Sequence, residues 1–382
     1  MKKSYTYLAI LLSLILAVTL FLWMKKNNQL PYRNYDVTYL NRESGLELAG
    51  TLTIPHTKLP CPAIILVAGT GRHERNCTMK GHQLFTAIAD FLARKGIATL
   101  RYDKRGVEKS QGTFTTNLTS QDFASDLQAG LTYLKTRTEV NASMIGLLGH
   151  SEGGLIVCMV AAASNDVKFL ILMGGAASTD IDGIVEQACL QLKADGASEE
   201  LIALDRKIRT QILSIVHQES DHDDADKLLH TAIENYLKSL TKAQTQEAES
   251  LVFESYKTYF EPQAPVYAIS RLNSQYMIQV FNSPWIRFLL AYDAPATLQK
   301  ITVPTAIING QFDFIVAKDV TVPVFEQNLI HCPHQIIEIP KVNHWFETCT
   351  TGSISEYGAT KEIISPLFLE TVNHIAQSYV QL

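Results

Sequence analysis

Cysteine, charge and any excess of basic residues are scarce in this chain, and each scarcity removes a class of function. Six cysteines among 382 residues are too few for a disulfide framework. No two stand in a C-x-x-C pair, so closed zinc sites of that type are not expected. The 33 lysines and arginines are outnumbered by 38 aspartates and glutamates, for a net charge of −5. Without a basic surplus to hold a phosphate backbone, nucleic acid is not an expected partner. The chain has no internal repeat and no low-complexity tract. Apolar residues make up 46% and charged residues only 19%, so most of the chain can bury a core and is not disordered. Its length exceeds a typical domain of about 100–200 residues, yet suits a single α/β fold with an insertion.

From Ser4 to Met24 the chain carries no charge. As a helix this run would span about 31 Å at ~1.5 Å per residue, which matches a hydrocarbon layer of ~30 Å. Lys2 and Lys3 precede it, Lys25 and Lys26 follow it, and Tyr5, Tyr7 and Trp23 stand where aromatic rings favour the interface. A cleaved signal peptide would place small residues at the cut site, where this chain has Phe21-Leu22-Trp23-Met24. The expectation is a single-pass anchor at residues 1–26 and a linker at 27–34. Positive charge is nearly balanced across the span, so orientation is open; a short head before a long body suits an exported body.

Beyond the linker, Tyr35–Leu40 and Leu46–Ile54 read as an antiparallel pair turned at Asn41 to Gly45. Ala63–Ala68, Ile97–Leu100, Met144–Leu148 and Phe169–Met173 are continuous apolar runs, as expected of strands buried on both faces of a parallel sheet. Helical stretches near 82–95, 120–137 and 153–164 lie between them, which predicts an open, mostly parallel α/β sheet. The alternation stops near residue 176 and resumes near Thr302. Between these points the spacing is helical: Ile181, Ile184, Val185, Ala188, Cys189 and Leu192; then Leu201, Leu204, Ile208, Ile212 and Ile215; then Leu229, Ile233, Leu237 and Leu240. Gly196 suits a stop and Ser198 a cap. The expected division is a core of 35–176 and 296–382 with a helical cap of 177–295. Thr305–Asn309, Gln335–Ile339 and a helix near 363–380 complete the core.

The string Gly149-His150-Ser151-Glu152-Gly153-Gly154 falls between a predicted strand and a predicted helix. That setting is what a nucleophile elbow requires: Ser151 in a strained turn, Gly149 and Gly153 allowing strand and helix to approach closely. A serine hydroxyl needs a base, and the base needs an acid to orient it. Asp313 stands just past Thr305–Asn309, and His344 just past Gln335–Ile339, in the acid-then-histidine order this architecture uses. Asp319 is a nearby alternative acid, placed farther along at the next helix start. An oxyanion would need two backbone N–H donors. Glu152 would give one, and Thr70, within the Gly69-Thr70-Gly71 turn, the other.

These strings resemble the α/β-hydrolase superfamily, and more closely the lidded bacterial carboxylesterases grouped with serine-aminopeptidase-like hydrolases. The resemblance covers roughly residues 45–380. It rests on Gly69-Thr70-Gly71 with Arg75, Asp103-Lys104-Arg105-Gly106 with Lys109-Ser110, and Gly149–Gly154. It continues in Ser283-Pro284-Trp285, Asn309-Gly310 with Asp313, and Asn343-His344 with Gly352 and Tyr357. It implies hydrolysis of small carboxylic esters, usually with short acyl chains, without a metal or organic cofactor. Glu108 and Arg72 depart from it, standing where the family usually has glycine and proline.

The same triad could serve a peptidase, an amidase or an acyltransferase, and a capped pocket could also hold a ligand without turnover. Asp103 and Arg105 could pair to brace the loop beside the nucleophile. The acidic residues Asp221, His222, Asp223, Asp224 and Asp226 lack regular ligand spacing and read as a solvated loop and helix start rather than a cation site. His150 is expected to pack against the elbow and Cys158 in the core. Trp285, Phe288 and Leu289 suit either an acyl pocket or cap–core packing. Oligomeric state is not legible.

Overall fold

Along residues 61–67 successive side chains point to opposite faces of a sheet, and both faces are covered. Ala63, Ile65 and Val67 join one buried apolar cluster, and Ile64 and Leu66 join another. This period-two division explains why so apolar a run is a strand at the centre of a layered fold. The computed structural model describes residues 30–57, 59–177, 179–253 and 274–381. The uncharged run at 4–24 lies outside the described residues. Among those described, no helix is long and apolar enough to cross a membrane.

The elements run β1 (Tyr32–Asn41), β2 (Leu46–Pro55), β3 (Cys61–Val67), β4 (Thr78–Met79), β5 (His82–Gln83), α1 (Leu84–Arg94), β6 (Ala98–Tyr102) and α2 (Ser120–Lys135). They continue with β7 (Val140–His150), α3 (Glu152–Ala163) and β8 (Phe169–Met173). Among the described residues, six helices follow: α4 (Ile181–Ala194), α5 (Glu199–Gln218), α6 (His222–Ser239), α7 (Lys242–Phe253), α8 (Ser274–Phe281) and α9 (Pro284–Ala291). A short α10 (Ala294–Leu298) precedes β9 (Thr305–Gly310), α11 (Lys318–Asn328), β10 (His334–Ile339) and α12 (Pro366–Gln381).

Eight strands form one sheet in the order β1-β2-β6-β3-β7-β8-β9-β10. β1–β2 and β2–β6 pair antiparallel, and every later neighbour pairs parallel. β1 starts at Tyr32, inside the stretch read as a linker, because β2 extends to Pro55 and offers Tyr32 a ladder partner. α2 and α3 pack into the cluster on one face, while α1 and α12 pack into the cluster on the other.

The helices between β8 and β9 bury a third cluster, in which Val185, Ile212, Leu229, Ile233, Phe281 and Ile286 meet. Local signals set their ends. The Ser198 hydroxyl accepts from the Leu201 amide at 3.2 Å, and Gly196 takes φ +90° just after α4. Asp221 caps α6 by accepting from the amides of Asp223 and Asp224. That accounts for the acidic stretch as a solvated helix start.

Candidate active site

β7 delivers Ser151 and α3 begins one residue later, so the serine sits on the bend between them. Its backbone has φ 58° and ψ −127°, a conformation that costs a non-glycine residue about 1–3 kcal/mol. The turn is held on both sides. The Ser151 amide donates to the Met173 carbonyl at 3.1 Å, and its carbonyl accepts from Gly154 at 2.9 Å and Ala176 at 3.0 Å. Only bare backbone fits here: a Cβ on Gly149 would lie 2.2 Å from the Gly153 carbonyl oxygen, and one on Gly153 would lie 2.2 Å from that of Val67.

Asp313 and His344 come from loops after β9 and β10 and meet across 31 positions of chain. His344 Nδ1 lies 2.8 Å from Asp313 Oδ2, while Oδ1 accepts from the Val316 amide at 2.8 Å. Both residues are almost fully buried, at 2% and 4% exposure for Asp313 and His344. Because a carboxylate can only accept, Nδ1 carries the proton and Nε2 is left as the basic atom. The His344 amide donates to the Tyr357 hydroxyl at 3.2 Å, and its carbonyl accepts from His150 Nε2 at 3.0 Å. The His150 and His344 rings stand 4.7 Å apart. Burial, with His344 beside it, pushes His150 well below the usual histidine range, so it stays neutral. No hydrogen bond joins the Ser151 hydroxyl to His344 among the described residues; such contacts often tighten only with substrate bound.

Thr70 and Glu152 flank the serine. The turn before Thr70 and the elbow approach so closely that a Cβ on Gly69 would lie 2.6 Å from that of Ser151. Gly71 takes φ +112°, a turn open to glycine at little steric cost. Thr70 Oγ1 donates to Glu152 Oε2 at 2.9 Å. Glu152 Oε1 accepts from Ser120 Oγ at 2.6 Å and from Trp285 Nε1 at 2.9 Å. The Glu152 amide is the first of α3 and is therefore one of the helix's unpaired donors.

A cavity of about 130 Å³ opens on Ser151, lined by apolar side chains including Leu155, Ile184, Ala188, Ile286 and Leu289. A second, of about 700 Å³, meets it at Thr70, Glu152 and Trp285, and brings in Arg72, Phe114, Asn117 and Asn282. Trp285 and Leu289 thus face the serine cavity, whereas Phe288 stacks on Tyr292 at 5.4 Å and packs on the core. Cys158 is 1% exposed in that same core.

The family model described as "Serine aminopeptidase, S33" matches residues 62–250. The esterase EstD of Thermotoga maritima is 36% identical over 118 residues, which is 31% of this chain and 28% of that protein. The alignment therefore spans under a third of the relative's length. An α/β hydrolase, GrgF from Penicillium sp. sh18, superposes with a TM-score of 0.53 at 17% identity, covering 91% of this chain and 98% of that one. Est1E from Butyrivibrio proteoclasticus, solved with ferulic acid, superposes at 0.51 with 18% identity, covering 91% and 100%.

The chain has the fold of the α/β hydrolases.

Within this fold, one expected pairing does not form: Asp103 and Arg105 do not brace each other. Asp103 takes Arg75, with Arg75 Nη2 at 2.6 Å and Nε at 3.0 Å. Arg105 turns to α2, at 2.7 Å from Asp126 and 2.9 Å from Asp122. Past the end of β6 the chain no longer holds the strand's geometry, so the two side chains find partners on different neighbouring elements. Asp319 lies in the first turn of α11, while Asp313 holds the histidine. Glu108 takes φ +45°, which explains why glycine suits that position.

Two features of the site leave little trace in the sequence. Gly174, at the end of β8, has φ +52° and lies where a Cβ would be 2.8 Å from Asp313 Oδ2. Its signal is the Gly174-Gly175 pair closing a strand apolar on both faces. Lys104, legible only as part of a motif, is 3% exposed and donates from Nζ to the Gly69 carbonyl. A lysine just past a buried strand, flanked by Asp103 and Arg105, is its only mark.

Proposed function

We propose that this chain is a serine hydrolase of carboxylic esters with compact acyl groups. Ser151 Oγ attacks the ester carbonyl carbon while His344 Nε2 takes the hydroxyl proton. The oxyanion that forms is held by the amides of Thr70 and Glu152. His344 gives the proton to the leaving alcohol oxygen as the C–O bond breaks, leaving Ser151 acylated. Water then attacks the acyl carbon, loses its proton to His344, and frees the acid and the serine. Asp313 keeps the imidazole in the Nδ1–H tautomer and stabilises its positive charge.

The observation that carries this reading is the buried 2.8 Å contact of His344 with Asp313, set beside a serine on a strained strand-to-helix bend. The small apolar cavity at Ser151 supports a short acyl group, and the esterase relative supports ester chemistry over other acyl transfers. A peptidase selecting a free amino terminus would need an available carboxylate; Glu152, the acid in this cavity's lining, already accepts three hydrogen bonds.

The test is Ser151→Ala. Hydrolysis of p-nitrophenyl acetate and butyrate is expected to fall by about 10⁵–10⁶-fold, with loss of fluorophosphonate labelling. Turnover near the wild-type rate would overturn the assignment, and faster cleavage of the matching anilide would move it to amides. We further propose that residues 4–24 hold the enzyme to a membrane with its catalytic body exported.

A further inference from the structure

The peptide unit between Gly69 and Thr70 has its two ends held in different ways. Its carbonyl oxygen accepts from Lys104 Nζ. Because the unit is planar and trans, its N–H points away from that contact. The residue that follows is fixed twice more: the Thr70 carbonyl accepts from His73 Nε2 at 2.7 Å, and its hydroxyl donates to Glu152 at 2.9 Å.

Lys104 is an expensive residue to bury. Only 3% of it is exposed, and its ammonium lies 4.2 Å from the centre of the Phe123 ring, a favourable but incomplete substitute for water. The groups that act on it are Glu152 on α3, Asp126 on α2, and Cys77 and His73 in the segment between β3 and α1. Asp126 is already bonded to Arg105 and Asn41. Burial pushes the Cys77 thiol up to about 12, and burial with Lys104 nearby pushes His73 down to about 4. Near neutral pH both are uncharged, so Glu152 is the balancing charge nearest the nucleophile.

We propose that Lys104 is a positioning residue for the oxyanion: its ammonium, bonded to the Gly69 carbonyl, orients and polarises the peptide whose Thr70 N–H receives the developing negative charge. A cationic donor on the carbonyl draws electron density through the amide, making the N–H at the other end a stronger donor. It also puts a fixed positive charge one peptide away from the oxyanion, in a setting where water does not screen it. This inference rests on the Ser151 mechanism above and adds to it a cation that touches no substrate atom.

The wild type, Lys104→Met and Lys104→Arg are compared for kcat and KM on p-nitrophenyl acetate, with active sites counted by fluorophosphonate labelling. In Lys104→Met, kcat per labelled site is expected to fall about 10–100-fold, with KM nearly unchanged and Arg restoring part of the rate. Affinity for a trifluoromethyl ketone, whose serine adduct carries the oxyanion, falls by the same factor. Burial lowers the Lys104 pKa from its usual 10.5, so deprotonation of the wild type adds an alkaline decline in kcat, absent from the Met variant. A merely structural lysine would lower the number of labelled sites and leave kcat per site, ketone affinity and pH profile alone. That outcome overturns the proposal. If the Met variant does not fold, the wild type still decides: ketone affinity must weaken along the same alkaline decline, and constant affinity refutes it. Failure of the underlying mechanism looks different, since it leaves Ser151→Ala active.

Discussion

A methyl group has no room at residue 174. A Cβ there would stand 2.8 Å from Asp313 Oδ2 and 3.2 Å from His344 Nδ1. Neither atom can yield cheaply, because Asp313 is bonded through both oxygens and is 2% exposed. The backbone also takes φ +52°, which disfavours any side chain. Gly174→Ala is therefore expected to push acid and base out of register. It should cost about 10²-fold in kcat/KM, the usual effect of a displacement near 1 Å, and about 1–3 kcal/mol of stability from the strained backbone. Ester turnover and urea unfolding of the same preparation check both. Normal turnover would mean that the Asp313–His344 contact does not need this cradle. The same residue scale explains why Asp103 and Arg105 look like partners in the sequence and are not. Asp103 instead meets Arg75 in the segment after β3, and Arg105 meets Asp122 and Asp126 on α2, partners that the spacing of the two residues does not reveal.

Among the elements, α9 carries a contact that ties the helices between β8 and β9 to the start of α3. The Ser283 hydroxyl accepts from the Ile286 amide at 3.3 Å and Pro284 occupies the first turn, so the helix start is fixed locally. Its second residue, Trp285, then reaches Glu152 at 2.9 Å. Trp285→Phe keeps a ring in place but removes the donor. A hydrogen bond to a charged acceptor is worth about 1.5–3 kcal/mol, so a loss of about 10-fold in kcat/KM is expected. Amide exchange across 284–291 should quicken as the helix loses its hold. Unchanged exchange and unchanged turnover together would show that apolar packing alone seats α9. The strands of the core are legible because parallel strands buried on both faces leave continuous apolar runs, as at residues 63–67 and 169–173. The helices between β8 and β9 are legible through their stripes and through Ser198 and Gly196. The β4–β5 hairpin is not: two strands of two residues each are too short to leave a pattern. The elbow can be read because glycine, serine and glycine have to stand together in sequence. The support of the Thr70 turn by Lys104, Glu152 and Trp285 cannot, because it is assembled from residues more than a hundred positions apart in part, Glu152 and Trp285 being separated by 133.

For the whole molecule, the question is how much of the chain the enzyme needs. The two sheet clusters draw on buried residues from Tyr39 to Tyr379, the third cluster lies within that range, and the outer strand starts at Tyr32. A chain beginning at Leu30 thus retains every element described and every residue assigned to the reaction. The uncharged run at 4–24 is long enough for a hydrocarbon layer at ~1.5 Å per residue. No residue assigned above to the reaction lies in it. The expected result is a clean separation of two properties. The full chain should sediment with membranes, resist alkaline carbonate and come free in detergent. The chain from Leu30 should stay in the supernatant with kcat/KM on p-nitrophenyl butyrate within about twofold of the full enzyme, since no catalytic contact has been removed. A full chain that washes off in carbonate would refute the anchor and leave the hydrolase intact. A shortened chain that folds but loses turnover would show that the residues before Leu30 contribute to the site itself.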